Sequence, residues 1–424
     1  MASNREHISP GTLVAGACAV AVVALGYGIA LPLLPVMISE LIAAPTPSDI
    51  AWHTSFLTGA FAIAPLIAAG PWGLLSDRYG RRPILIVGML GFALTLGASA
   101  FPTTLFAFYL LRLLNGAFAA AIVPSVLALV TDLERDESLR ARTFALVSAA
   151  SSIGLLAGPM LGGVAADLPP PPFATDLLSS WRPVPFLGVA GLALAVTGAV
   201  ALVSPSGRSP GSSASHERQD KLGLWARTSL VLLAALVAAG LGLFEVGLTL
   251  QSRALAIPPS ALGFMFAGCM VIMLLVQVLV FSPLARPAVT QWFIAPAFLL
   301  LGLGLLMVQW TPGSSNLMLA TAGVAAAGGF LAPALAYWLS YGAGRRTGTR
   351  LGLQSAALSV GQALGAVAAA GLISDSIVGA AWLVGLTISS SAVALTVSIY
   401  LGRSGNAAPA LPIGPLQVLK GRRE

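Results

Sequence analysis

Residues Gly70 to Val87 read GPWGLLSDRYGRRPILIV. Asp77, Arg78, Arg81 and Arg82 crowd between two long apolar runs, and an ionised side chain at the centre of a bilayer costs at least ~2.5 kcal/mol even on the lenient insertion scale. The charged stretch is therefore a short loop at a membrane face, with a span on either side. Gly73 and Gly80 carry no Cβ, so the two helix ends and the turn between them are expected to approach closely.

Composition extends that reading to the whole chain. With 57% hydrophobic and 9% charged residues in 424, the protein is too apolar to be soluble at its length. A net charge of +7 would suggest nucleic acid in a soluble protein, but in a polytopic one Lys and Arg mark membrane orientation, and no nucleic-acid partner is expected. Cys18 and Cys269 lie in separate apolar runs and imply no disulfide framework. The sequence offers no metal cluster, nucleophile triad or phosphate loop, so neither an enzyme nor a cofactor is expected. The first apolar run exceeds a signal peptide's short core and reads as a retained span.

A span needs about 20 mostly apolar residues, and twelve such runs lie near 12–34, 53–75, 84–102, 104–130, 143–166, 183–203, 228–250, 260–281, 291–310, 316–341, 351–373 and 378–402. They are continuous rather than alternating, which makes them helices. With the N-terminus in the cytoplasm, all but Arg112, Arg182 and Arg253 of the 22 basic residues fall on the inner side, and both termini are cytoplasmic. The stretch SPSGRSPGSSASHERQDK from Ser204, with His216 solvated in it, reads as a flexible linker. It divides a six-helix bundle at 1–204 from a second at 228–424 with a short cytoplasmic tail, the linker itself covering 205–227. The outer loop from Asp167 to Arg182, with prolines at Pro169 to Pro172, should be stiff and extended.

An internal repeat supports the division. SAASSIGLLAG at 148–158 overlays SAALSVGQALG at 355–365 and matches Gly154 to Gly361 and Gly158 to Gly365. The fifth and eleventh spans are thus counterparts, as expected of two halves related by an axis along the membrane normal. The loop before span nine, FSPLARPAVTQW, has lost the Asp, Gly and paired Arg of its first-half equivalent.

A few polar residues stand inside spans. Arg112 lies about nine residues in from Thr103, roughly 13 Å along a helix, too deep for easy escape to water. Glu245 is the acid placed within a span, ~24 Å from the start of span seven. A carboxylate that changes protonation as access alternates is a proton carrier, so Glu245 is the leading proton site, with Arg112 as a partner from the other half. The bland alternative is a rim acid. Tyr27, Asn115, Phe244, Gln277, Trp338 and Gln354 are candidates to line a mostly apolar substrate cavity, although sequence leaves the face of each open. His53, at the outer start of span two, reads as an interfacial residue.

Four stretches carry a family resemblance. Gly73-x-x-x-Asp77-Arg78-x-Gly80-Arg81-Arg82 resembles the signature loop between spans two and three of major facilitator superfamily transporters. The resemblance implies that Asp77, Arg78, Arg81 and Arg82 brace neighbouring helices and help close an inner gate; a plain positive-inside anchor is the alternative. Leu25-Gly26 followed by Pro32-x-x-Pro35 is similar to the first span of twelve-span drug:proton antiporters, or else is a helix stop. Arg112-Leu113-Leu114-Asn115-Gly116 resembles the motif R-x-x-Q-G, whose Arg is linked to proton transfer, with Asn115 where Gln is usual. A structural Arg bonded to helix carbonyls is the other reading. Gly154-x-x-x-Gly158-Pro159-x-x-Gly162-Gly163 matches the antiporter motif residue by residue, against a simple small-residue packing face. Its second copy has Ala366 in place of the proline.

Taken together, the resemblance implies an all-α membrane protein with twelve helices in two pseudo-symmetric six-helix bundles. It would be a monomer in the bacterial inner membrane, exporting a small organic solute by alternating access and powered by the proton gradient. A dedicated exporter of a metabolite such as a siderophore, and a proton-coupled uptake symporter, are the competing readings on the same fold.

Overall fold

The turn between the second and third spans shows how this sequence punctuates its helices. The computed structural model describes residues 9–133, 137–169, 182–203, 223–280, 290–310, 314–340, 347–374 and 376–405. In it, α2 (Pro47–Tyr79) gives way to α3 (Arg81–Ala98) across the single residue Gly80. Gly80 sits at φ +98° and ψ 164°, a region that costs other residues about 1–3 kcal/mol, so glycine alone reverses the chain there without strain. Asp77 pairs with Arg81 across the turn, and Arg82 donates to the Ala201 carbonyl. At its other end α2 is opened by a capping box, in which Thr46 and Asp49 satisfy each other's backbone N–H, with Pro47 in the first turn.

The other helices are α1 (Pro10–Leu41), α4 (Leu105–Leu133), α5 (Glu137–Asp167), α6 (Pro183–Val203), α7 (Leu224–Ala254), α8 (Pro259–Val280), α9 (Thr290–Trp310), α10 (Ser314–Ser340), α11 (Thr347–Ser374) and α12 (Ser376–Gly405). All 12 are long and apolar enough to cross a membrane, and among the described residues there is no strand. Pro32 and Pro35 do not stop the first helix, which runs through both to Leu41. The expected linker falls outside the described residues as far as 222, with His216; its last residues, from Leu224, are already the first turn of α7. Pro170 to Pro172, Arg135, Arg286, Arg345 and Arg346 also lie outside them.

Two hydrophobic cores result. One is built from α1 to α6, around Phe92, Phe108 and Phe186; the other is built from α7 to α12, around Phe266, Phe298 and Trp338, and takes in Tyr27 and Leu31 from α1. Within each half a stripe of glycines brings two backbones together. A Cβ on Gly154, Gly158 or Gly162 of α5 would stand 2.1, 2.7 or 2.3 Å from the carbonyl oxygens of Ala21, Leu25 and Ile29 in α1. The repeat reproduces the pair: a Cβ on Gly361 or Gly365 of α11 would stand 2.0 or 1.9 Å from the carbonyl oxygens of Ala235 and Ala239 in α7. Ala366 replaces the proline and is fully buried.

The halves meet at the end opposite Gly80. Gly163 lies against the Pro259 carbonyl and Gly263 against that of Pro159. The Asp167 carboxylate accepts from the Ser260 N–H at 2.7 Å, so the last residue of α5 caps the start of α8 in the other half. Arg253 donates to the Pro35 carbonyl at 3.0 Å. At the Gly80 end the halves part, and here one expectation is corrected: a Cβ on Gly73 would meet nothing within 4 Å. Gly73 brings no helix ends together in this conformation, because α2 ends in open space, with Leu74 74% exposed.

The contrast among glycines is testable. Gly154→Ala must push α5 off α1 and is expected to cost about 1–3 kcal/mol, whereas Gly198→Ala, with open space around it, should leave stability unchanged. Unfolding in detergent measures both, and equal stability of the two variants would contradict the packing.

Candidate functional site

The site starts from Gly26-Tyr27-Gly28 in α1. A Cβ on Gly26 would stand 2.6 Å from the Phe92 ring of α3, and one on Gly28 2.7 Å from Pro159 of α5. Close packing on both sides therefore fixes the direction of the residue between them. Tyr27 is buried, and its hydroxyl donates to the Glu245 carboxylate of α7 in the opposite half. On that half Gly242 plays the matching part, with its Cβ position 2.3 Å from the Gln362 carbonyl oxygen. This holds α11 against α7, so that Gln362 Nε2 donates to Tyr27 Oη at 3.0 Å and lies 3.3 Å from Glu245 Oε2. One carboxyl is thus hydrogen-bonded to both halves.

Behind Tyr27 lies the buried cation. The Phe61 ring of α2 is 4.9 Å from the Tyr27 ring, and Arg112 Cζ of α4 stands 4.8 Å from the Phe61 centroid, within the range of a cation–π contact. Arg112 is 1% exposed; its Nε reaches the Leu57 carbonyl at 3.5 Å, and its Nη2 is buried without a hydrogen-bond partner. Among the described residues no ion pair joins Arg112 to Glu245. The two charges expected as partners instead stand on either side of Tyr27 and Phe61.

Below this cluster, towards the Gly80 end, lies a cavity of about 790 Å³ lined by Leu66 of α2, Val231, Leu232 and Ala235 of α7, Leu339 of α10 and Leu353, Ala356 and Val360 of α11, with Arg227 and Thr228 among its few polar groups. Its wall ends at Val360, two positions before Gln362. The chemistry available is a large apolar chamber and, further along α7, a bonded carboxyl that does not line it. An ionised Glu245 accepts from both Tyr27 and Gln362, whereas a protonated one brings a donor of its own and needs the network rearranged.

The remaining candidates lie elsewhere. Asn115 is buried and donates to the Phe92 carbonyl and Thr95 of α3 at 3.1 and 3.0 Å, inside the first half. Trp338 donates to Thr290 at 3.0 Å inside the second, where Phe244 packs edge-on against Phe266. Gln354 is buried in α11, and Gln277 is half-buried in α8. Two members of the cluster, Gln362 and Phe61, are not among the sequence candidates. Gln362 stands in the quoted repeat and is a polar residue within a span, which is a usable signal. Phe61 is one aromatic among 17 Phe and gives none.

A family model described as Major Facilitator Superfamily matches residues 16–250. The chain is 38% identical over 161 residues to the tetracycline resistance protein, class B, of Escherichia coli, covering 37% of this chain and 38% of that protein; the chain thus spans well under half the length of that relative. It is 25% identical to the quinolone resistance protein NorA of Staphylococcus aureus (strain MSSA476), over 82% of this chain and 86% of the relative. Its fold is shared with a bacterial homologue of the human lysosomal transporter Spinster, solved in an inward-facing, unoccupied conformation, at a TM-score of 0.69 and 15% identity, covering 95% of this chain and 99% of the other.

The three-residue network predicts a coupling energy. Tyr27→Phe and Gln362→Ala should each cost roughly 1–3 kcal/mol through a lost hydrogen bond to a half-buried carboxyl, and the double variant should depart from their sum by more than about 0.5 kcal/mol. Equilibrium unfolding in detergent of the four species measures it; strict additivity would show that the side chains do not act together.

Proposed function

The chain belongs to the Major Facilitator Superfamily, and from that premise we propose that it is a proton-coupled exporter of small organic molecules working by alternating access. The observation that carries this reading is Glu245, hydrogen-bonded at once to Tyr27 of the first half and Gln362 of the second. The positive bias of the loops puts the Gly80 end in the cytoplasm, so that the chamber faces inward and the contacts at Asp167, Arg253 and Gly163 close the outer side. An apolar solute enters from the cytoplasm. Deprotonation and protonation of Glu245 make and break its bonds to the two halves, and the halves rock around it. The Asp77–Arg81 pair stiffens the Gly80 turn at the end of α2, the helix that must swing to close the inner side. Tetracyclines and quinolones, named in the descriptions of the relatives, are the compounds to try first.

Export from inside-out vesicles, measured over a substrate panel with and without a protonophore, tests the reading directly. Glu245→Gln is expected to abolish gradient-driven transport while leaving folded protein in the membrane; undiminished transport would exclude Glu245 as the carrier. Asp77→Asn should slow turnover several-fold with little change in substrate affinity, and an unchanged rate would reduce the loop to an anchor.

A further inference from the structure

Helices α2 and α4 lie side by side in register. His53 Nδ1 is 2.8 Å from the Tyr109 hydroxyl, Arg112 Nε reaches the Leu57 carbonyl, and a Cβ on Gly116 would stand 2.4 Å from the Phe61 carbonyl. Each pair is about one helical turn, ~5.4 Å, further from the outer end than the one before. The sequence thus stacks a surface imidazole and phenol, then a buried guanidinium, then the Phe61–Tyr27 contact that adjoins Glu245. Steps of one turn are too long for direct hydrogen bonds, so a relay along them needs bridging water.

Two buried atoms call for that water. Arg112 Nη2 and Thr54 Oγ1 have no hydrogen-bond partner, although Arg112 and Thr54 are each only 1% exposed. Thr54 lies seven residues, two turns, before Phe61 on the same stripe of α2. Buried polar groups are satisfied almost without exception by protein or by ordered water, and a guanidinium left dry is more costly still. We propose that ordered water between α2 and α4 forms a proton route from the outer face to Glu245, entered at His53 and Tyr109 and passing Thr54 and Arg112.

The step conserves protons. A proton arriving at His53 Nε2 releases the one on Nδ1 to the Tyr109 oxygen, whose own proton leaves to the next water; ring and phenol each end with the number of protons they had. The ionisable groups around His53 are Asp49, one turn before it on α2, with Tyr109 and, a turn deeper, Arg112 on α4. The Arg112 guanidinium stands across the route, and a fixed positive charge opposes the passage of a proton. The route is therefore shut in the conformation described, which prevents a leak while the chamber stands open at the other end.

This inference rests on Glu245 as the proton site, and it is tested without any transported substrate. Infrared spectroscopy of the full-length protein in liposomes follows a carboxyl band, absent from Glu245→Gln, after an external pH jump. His53→Gln, Tyr109→Phe and Thr54→Val are each expected to slow its rise at least tenfold with the final amplitude kept, and Thr54→Ser to stay within about twofold of the parent. Parent-like rates in His53→Gln and Tyr109→Phe would overturn the route. So would a loss of amplitude in both, which assigns these residues a structural role. A parent protein with no Glu245 band would overturn the proton-site reading itself, a distinct result.

Discussion

A single carboxyl hydrogen-bonded to both halves of a membrane protein is the constraint on which this structure turns. Glu245 accepts from Tyr27 across the interface and lies beside Gln362 on its own side. In a low-dielectric setting such bonds are stronger than in water, and leaving any member unpaired is correspondingly expensive. In the proposed cycle, protonation changes which member donates and gives the network a second arrangement, suited to a different relation between the halves. That is the bistable element an alternating-access carrier requires.

The packing around it separates what must stay rigid from what must move. Within each half, glycine stripes bring helices into backbone contact, α5 on α1 and α11 on α7, and such interdigitation has no second position to slide into. Between the halves α5 lies along α8 and α2 along α11, and the polar contacts at the outer end are a helix cap supplied by Asp167 to α8 and a bond from Arg253 to Pro35, beside glycine contacts at Pro159 and Pro259. The antiporter-like motif contributes to both classes, with Gly154, Gly158 and Gly162 packed inside one half and Gly163 touching the other.

Much of this was legible in the residues. Twelve apolar runs, the charged Gly80 turn and the glycine repeat at 154 and 361 each follow from a local rule: hydrocarbon excludes charge, positive φ selects glycine, and close backbones exclude a Cβ. That Glu245 stands inside the seventh apolar helix was legible in the same way. Its partner was not, because Tyr27 lies 218 positions away and reaches it only through the clamping of Gly26 and Gly28 by other helices. Arg112 is the partner that charge alone suggests, whereas the fold interposes Phe61 and Tyr27. Asn115, Phe244 and Trp338 are polar or aromatic residues in spans, and nothing in their spacing tells a cavity wall from the interior of one half.

The central claim is that protonation of Glu245 sets the conformational balance. Spin labels at Leu74→Cys in α2 and Leu353→Cys in α11, both exposed near the open end, with Cys18 and Cys269 replaced, report the opening by pulsed dipolar spectroscopy. The account predicts a distance distribution that shifts between about pH 5 and about pH 9, which lie inside the ordinary carboxyl-to-amine titration range of about 4 to 10, and that becomes independent of pH in the Glu245→Gln background. A shift of equal size in that background would contradict it.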